Sequence, residues 1–234
     1  MKSKSDKKIL DVPLIRQEKD SKDCGLAGVS MIFGYYKIKK GLEDLKKEVK
    51  VYDSGTYAPQ LGEYLIRRGF DVEIVTMHPR LFTLKNLGAS EKDIEKIIEE
   101  KYKVQNISEK DKLTLDYFKS FLKIGGRINV KIPSIKDIEE EIDNKRPLGA
   151  LMTTNFIKGE KPIFNFHFNI ITGYDKENIY VNDPLDDARG GKHAYDKDAF
   201  IYGLYASAYS DMDNASLIKI KYNPRKGTGK ILKK

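Results

Sequence analysis

A single cysteine occurs in the 234 residues, and it sits in Asp23-Cys24-Gly25-Leu26-Ala27-Gly28, directly before apolar residues at helical spacing. Leu26, Val29, Ile32, Phe33 and Tyr36 fall on one face. Cys24 is thereby placed in a first helical turn, where unpaired N–H groups and the positive end of the helix dipole favour a thiolate. A thiol that ordinarily titrates near ~8.5 falls to roughly 3.5–7.5 in such settings, so a depressed pKa and a nucleophilic role are expected. A nucleophile of this kind needs a base, and three histidines are available. His78, in Met77-His78-Pro79, follows a strand and reads as a loop residue; His193 follows the polar stretch Arg189-Gly190-Gly191-Lys192 and reads as exposed loop. His167 stands on a strictly alternating segment, with Phe164, Phe166, Phe168 and Ile170 on one side and Asn165, His167 and Asn169 on the other. Asp183, at the end of the next strand, is placed to hold the imidazole tautomer and stabilise its cation. The competing reading of each residue is structural: a buried inert thiol and a packed histidine. One cysteine and three scattered histidines have no ligand spacing, so neither a metal nor another cofactor is expected.

The elements that must position these groups follow from pattern. An extended segment from Ile9 to Ile15 precedes the Cys24 helix, and a short helix is predicted from Leu42 to Val49. Pro59 opens a helix that ends at Gly69, and Asp71 to Met77 alternates as a strand. Residues 90–103 and 112–124 read as helices, with Ser90 and Asp93 as a cap pair and Gly125-Gly126 as a stop. Strands are predicted at 127–132 and 148–153 around a helix at 134–144. The His167 strand is half-buried in this reading and forms a hairpin with 179–182 across the turn 175–178; a helix at 196–205 and a strand at 216–222 follow. The fold class is α+β, helices first and an antiparallel sheet second.

Composition bounds the function. The net charge is +8, but residues 1–8 contribute +3 and residues 225–234 contribute +5, so the remainder is formally neutral. A charge-mixed surface is expected, with no nucleic-acid partner, and the two basic tails are left to touch acidic partners weakly. No apolar run approaches the ~20 residues of a spanning helix. The basic start is followed by a short apolar segment containing Pro13 and no cleavage pattern, and a lone cysteine suits a reducing compartment. A cytoplasmic protein is the expectation. Residues 9–224 are expected to form one domain between a basic disordered tail at 1–8 and a basic tail at 225–234.

Cys24 and His167 are 143 residues apart, inside the roughly 130–150 typical of papain-type pairs. Together with Val12-Pro13-Leu14-Ile15-Arg16-Gln17, Asp23-Cys24-Gly25-Leu26-Ala27-Gly28 and the stretch from His167 through Gly173-Tyr174-Asp175 to Asp183-Pro184, this resembles the papain-like peptidases that process bacteriocin leaders after a double glycine, as a stand-alone relative. The resemblance implies a papain-like fold and a soluble cysteine peptidase acting on a peptide or protein. It makes Cys24 the nucleophile, His167 the base and then acid, and Asp183 the orienting residue. Gln17 becomes an oxyanion-hole donor, although it precedes Cys24 by seven residues where the family usually shows six. Gly25 and Tyr57 are expected at the substrate, and residues 78–126 as a helical insertion that either covers the cleft and selects substrates or thickens its wall. Asp23 is expected to cap the helix and to oppose ionisation of Cys24. An acyltransferase or transamidase with the same triad, and an inactive peptide-binding module, are the alternatives.

Overall fold

A computed structural model describes residues 7–154, 157–159, 166–209 and 211–224. Apolar residues recur at every second position of its strands on both sides, and this dictates a sheet covered on two faces. The strands are β1 (Lys8–Ile9), β2 (Phe70–Thr76), β3 (Arg127–Val130), β4 (Leu148–Thr153), β5 (Phe166–Tyr174), β6 (Asn178–Asp183), β7 (Gly191–Asp196) and β8 (Ser216–Tyr222). They form one sheet in the order β3-β2-β8-β4-β5-β6-β7, and β1 pairs with the far end of β5 through Ile9 and Gly173. Every pairing is antiparallel except that of β2 with β3.

One face of the sheet, through Phe70, Val72, Ile74, Phe168 and Ile220, packs under α1 (Cys24–Tyr35), α3 (Ala58–Arg67), α4 (Glu91–Tyr102) and α5 (Glu109–Lys123). The short α2 (Leu42–Lys46) joins this side through Leu45. The other face, through Leu148, Ala150, Met152, Ile171, Ile179 and Val181, packs against α6 (Ile135–Asp143) and α7 (Lys197–Ala206). Phe168 locks β5 to the Cys24 helix: a Cβ at Gly28 of α1 or at Gly149 of β4 would come within 2.6 Å of its ring. The two glycines make room for a buried aromatic whose packing is worth about 1.5–3 kcal/mol.

Most predicted elements are present, and five readings change. β2 and β3 belong to the same sheet as the later strands, so helices and sheet are interleaved along the chain rather than successive. The His167 strand is buried on both sides, with His167 at 3% exposure and Asn169 at 0%, because α6 and α7 cover the face that the sequence pattern assigned to solvent. Residues 191–196 form the strand β7 instead of a loop, and His193 on it is half-buried, its Nε2 2.9 Å from the Arg189 carbonyl. Of the extended segment predicted at 9–15 only Ile9 pairs into the sheet, and the strand starts one residue earlier at Lys8, which ion-pairs with Asp143 at 2.6 Å. The 42–49 helix is shorter, ending as α2 at Lys46. Phe164, Asn165, residues 1–6 and residues 225–234 lie outside the described residues.

Candidate active site

α1 begins at Cys24 and is buried from Gly25 through Phe33, which makes it the central helix of its layer. Asp23 occupies the N-cap position but does not cap. Its backbone (φ −88°, ψ 11°) departs from the extended conformation that aims a cap carboxylate at the helix amides, and the carboxylate instead meets Lys46 at 3.2 Å. Among the described residues no hydrogen bond takes up the Cys24 N–H, so a donor remains at the helix end beside the thiol. The Cys24 thiol lies against backbone groups of Phe168 and Gly25.

β5 brings His167 to the same place. The imidazole Nε2 is 3.5 Å from Asp183 Oδ2 and 3.3 Å from Thr154 Oγ1, and Nδ1 has no hydrogen-bond partner. An Nε2–H turned to the carboxylate leaves the Nδ1 lone pair available, the tautomer a general base requires. Asp183 is completely buried at the end of β6; its Oδ1 accepts the Leu185 N–H at 3.1 Å, and its Oδ2 is also 3.1 Å from Lys158 Nζ.

Cys24 and His167 open together into a cleft of about 610 Å³, whose wall includes Gln17, Ser54, Leu185 and Arg189. A narrow recess of about 30 Å³ continues on the other side of the pair, between Thr56, Tyr57, Asp211 and Asn214. Gln17 is held beside the site: its N–H donates to the Pro184 carbonyl at 2.8 Å and its Nε2 to the Ser21 carbonyl at 2.9 Å. Tyr57 lines the recess, stacks on Tyr117 at 5.6 Å and shares a 3.0 Å hydroxyl contact with Ser54. Gly25 does not line either space. A Cβ there would meet Thr56 Oγ1 at 2.1 Å, so this glycine lets the 54–57 wall close on the helix.

Residues 78–126 do not line the cleft or the recess. α5 packs on α3, and its Tyr117 hydroxyl meets that of Tyr52 at 2.8 Å, while Lys110 ion-pairs with Asp211 at 2.7 Å. The segment therefore stands behind both walls of the recess and does not cover the cleft.

Electrostatics at the pair run opposite to the expectation from the helix end. Burial pushes the Cys24 thiol up, more than the Phe168 and Gly25 backbone groups lower it, and the charges of Asp183 and Asp23 add to the rise. Burial likewise pushes His167 down, more than Asp183 raises it. Both directions favour the thiol and the neutral imidazole over the ion pair. Asp213, in the wall of the recess, is pushed up to about 7 by burial, although its carboxylate accepts the Ala58 N–H at the start of α3 at 2.7 Å. Its folded pKa lies above the unfolded value, so its stabilising contribution is complete below about pH 3.8 and is lost as pH rises through 7. Asp213→Asn, which keeps the acceptor, is expected to raise the melting temperature at pH 8 and to change it little at pH 4, as read by thermal melts across that range.

With this geometry established, the comparisons identify the lineage. The family model described as "Peptidase_C39 like family" matches residues 9–215. The chain belongs to the peptidase C39-like family. Comparison with curated proteins finds no significant match. Among solved structures, a protein from Bacillus anthracis described as a C39-like peptidase is 15% identical, with a TM-score of 0.49, covering 92% of this chain and 97% of its own. A double glycine motif protease from an AMS/PCAT transporter, solved with its leader peptide, is also 15% identical, with a TM-score of 0.47 and coverage of 92% and 94%. Among the described residues no helix is long and apolar enough to cross a membrane, and no group of side chains is arranged to hold a metal ion.

Four residues at the site of this C39-like chain escape a sequence reading. Arg16 donates to the carbonyls of Leu185 at 2.6 Å and Asp187 at 3.0 Å, fixing the β6–β7 connection that forms one wall. Gly190 completes that connection, since a Cβ would lie 1.9 Å from the Leu185 carbonyl oxygen. Thr154 and Lys158 follow β4 and reach His167 and Asp183 from the strand beside β5. The only sequence signal for Arg16 is its place beside Gln17; Lys158 has none, because its partner is 25 residues away.

Proposed function

We propose that this chain is a cysteine peptidase that cleaves a peptide bond through a Cys24–His167–Asp183 triad and a thioester acyl-enzyme. The observation that carries the reading is the imidazole of His167, with Asp183 on Nε2 and an unpartnered Nδ1, opening beside Cys24 into one cleft. In this mechanism Sγ attacks the scissile carbonyl carbon as Nδ1 takes the thiol proton. The oxyanion accepts hydrogen bonds from the Cys24 N–H and from the second N–H of the Gln17 amide, each such donor being worth about 10²–10³ in rate. Collapse breaks the C–N bond, and the imidazolium returns its proton to the leaving amine. Water then attacks the thioester, His167 takes its proton, and the acid product leaves with Sγ reprotonated. Tyr57 contributes to substrate selection from the recess, and a peptide or protein segment fills the cleft.

The test is incubation of the protein with a diverse synthetic peptide pool in water enriched in ¹⁸O, beside the Cys24→Ala variant. New C-termini that carry ¹⁸O, formed by the native protein alone, are the expected result. Amide products formed with an added amine and without ¹⁸O would mark an acyl transferase, and an intact pool in both samples would remove the peptidase reading.

A further inference from the structure

The carboxylate that orients His167 carries a second cation. Asp183 Oδ2 is 3.5 Å from His167 Nε2 but only 3.1 Å from Lys158 Nζ, and the side chains of Asp183 and Lys158 are 0% and 13% exposed. Lys158 is held there independently: its ammonium also donates to the Arg189 carbonyl, and its own N–H donates to the Thr154 carbonyl at 3.2 Å. Thr154 is the residue whose hydroxyl meets His167 Nε2. Nothing in the proposed chemistry requires a lysine at this point, and a buried ammonium is retained only when paired.

We infer that Lys158 is a positioning residue that sets the proton balance between Cys24 and His167 by occupying the negative charge of Asp183. The inference rests on the triad reading. A carboxylate beside an imidazole stabilises the imidazolium, and a lysine on the same oxygen cancels much of that field. Proton transfer from Cys24 to His167 creates an imidazolium, so Lys158 biases the pair toward the thiol and neutral imidazole. The other charges facing His167 are Arg189 and Asp187 of the β6–β7 connection, and these two pair with each other at 2.5 Å. Cys24 faces it from α1. Lys158 is thus the cation bound directly to the carboxylate that His167 uses.

The experiment uses the full chain and two readouts. The imidazole signals of the three histidines are followed by NMR against pH, with His167 assigned through His167→Ala, and the lone thiol is alkylated with iodoacetamide against pH. In Lys158→Met the His167 midpoint is expected to rise by about one unit, and alkylation at pH 6.5 to accelerate by about tenfold. Lys158→Arg restores the native values. In the Asp183→Asn background, Lys158→Met moves both readouts less, because only the direct repulsion between the ammonium and the imidazolium remains to be removed. Circular dichroism confirms that each variant is folded, and should Lys158→Met not fold, Lys158→Gln takes its place. Unchanged midpoint and alkylation in a folded Lys158→Met protein, or an equal effect with Asp183→Asn present, would overturn the inference. Failure of the triad itself gives a different pattern: His167→Ala would leave Cys24 alkylation unaltered at every pH, which also removes the role assigned to Lys158. If His167→Ala slows alkylation while Lys158→Met is silent, the triad stands and the lysine is structural.

Discussion

Cys24→Ala is expected to reduce peptide cleavage to background, a loss of about 10⁶ in turnover if the enzyme behaves as nucleophile-dependent hydrolases do. The thiol sits at the end of a helix whose packing begins at Gly25, so the same substitution is expected to cost only about 1 kcal/mol in a urea melt. The contrast between the two effects is diagnostic. A buried structural thiol would give a measurable loss of stability and no selective loss of turnover. Cys24→Ser keeps the shape but replaces the thiol by a far weaker acid, and it is expected to fall close to the alanine variant.

The second large effect belongs to the base. His167→Ala is expected to lower turnover by about 10²–10⁴, the range general acid–base catalysis supplies, with KM changed much less. Asp183→Asn separates catalytic from structural consequences. It retains an acceptor for the Leu185 N–H but leaves the Lys158 ammonium without its counter-charge and His167 without a carboxylate. A stability loss of about 1–3 kcal/mol is expected together with reduced turnover. His167→Ala, whose ring has one unpartnered nitrogen in the resting protein, should lose more activity for less stability.

The parts of this site legible in the sequence are those coded by local pattern. Helical spacing after Cys24 and strand alternation around His167 are short-range signals, and both elements occur where the pattern put them. The turn at Asp175 is equally local, since its carboxylate accepts the N–H groups of Glu177 and Asn178. What pattern did not reveal depends on what lies across the sheet. Asn169 and His167 are polar yet buried because α6 and α7, from distant parts of the chain, cover their face. β7 went unread because Lys192, His193 and Asp196 lie on a strand that, among the described residues, is at the sheet edge and paired only to β6, where little apolar sequence is needed. Asp23 has the type of a cap residue, but Lys46 offers its carboxylate an ion pair and its backbone turns accordingly. The forces that raise the Cys24 thiol were not legible for a related reason: the helix end favours a thiolate, whereas burial against β5 and the charges of Asp183 and Asp23 oppose it, and neither depth nor charge proximity is visible in residue spacing.

The central claim is that Cys24 and His167 exchange one proton, and the pH dependence of Cys24 alkylation in native protein and in His167→Ala tests it most directly. Two coupled groups share their proton between two macroscopic titrations. With burial holding His167 low and Cys24 high, the native rate is expected to show a pH-independent shoulder across neutrality, maintained by transfer to the imidazole. It should fall only on the acid side, as His167 becomes protonated. His167→Ala should lose the shoulder and rise by about one decade per pH unit toward the alkaline limit of an isolated thiol. Identical unit-slope profiles in the two proteins would contradict the account, because Cys24 would then ionise without reference to His167.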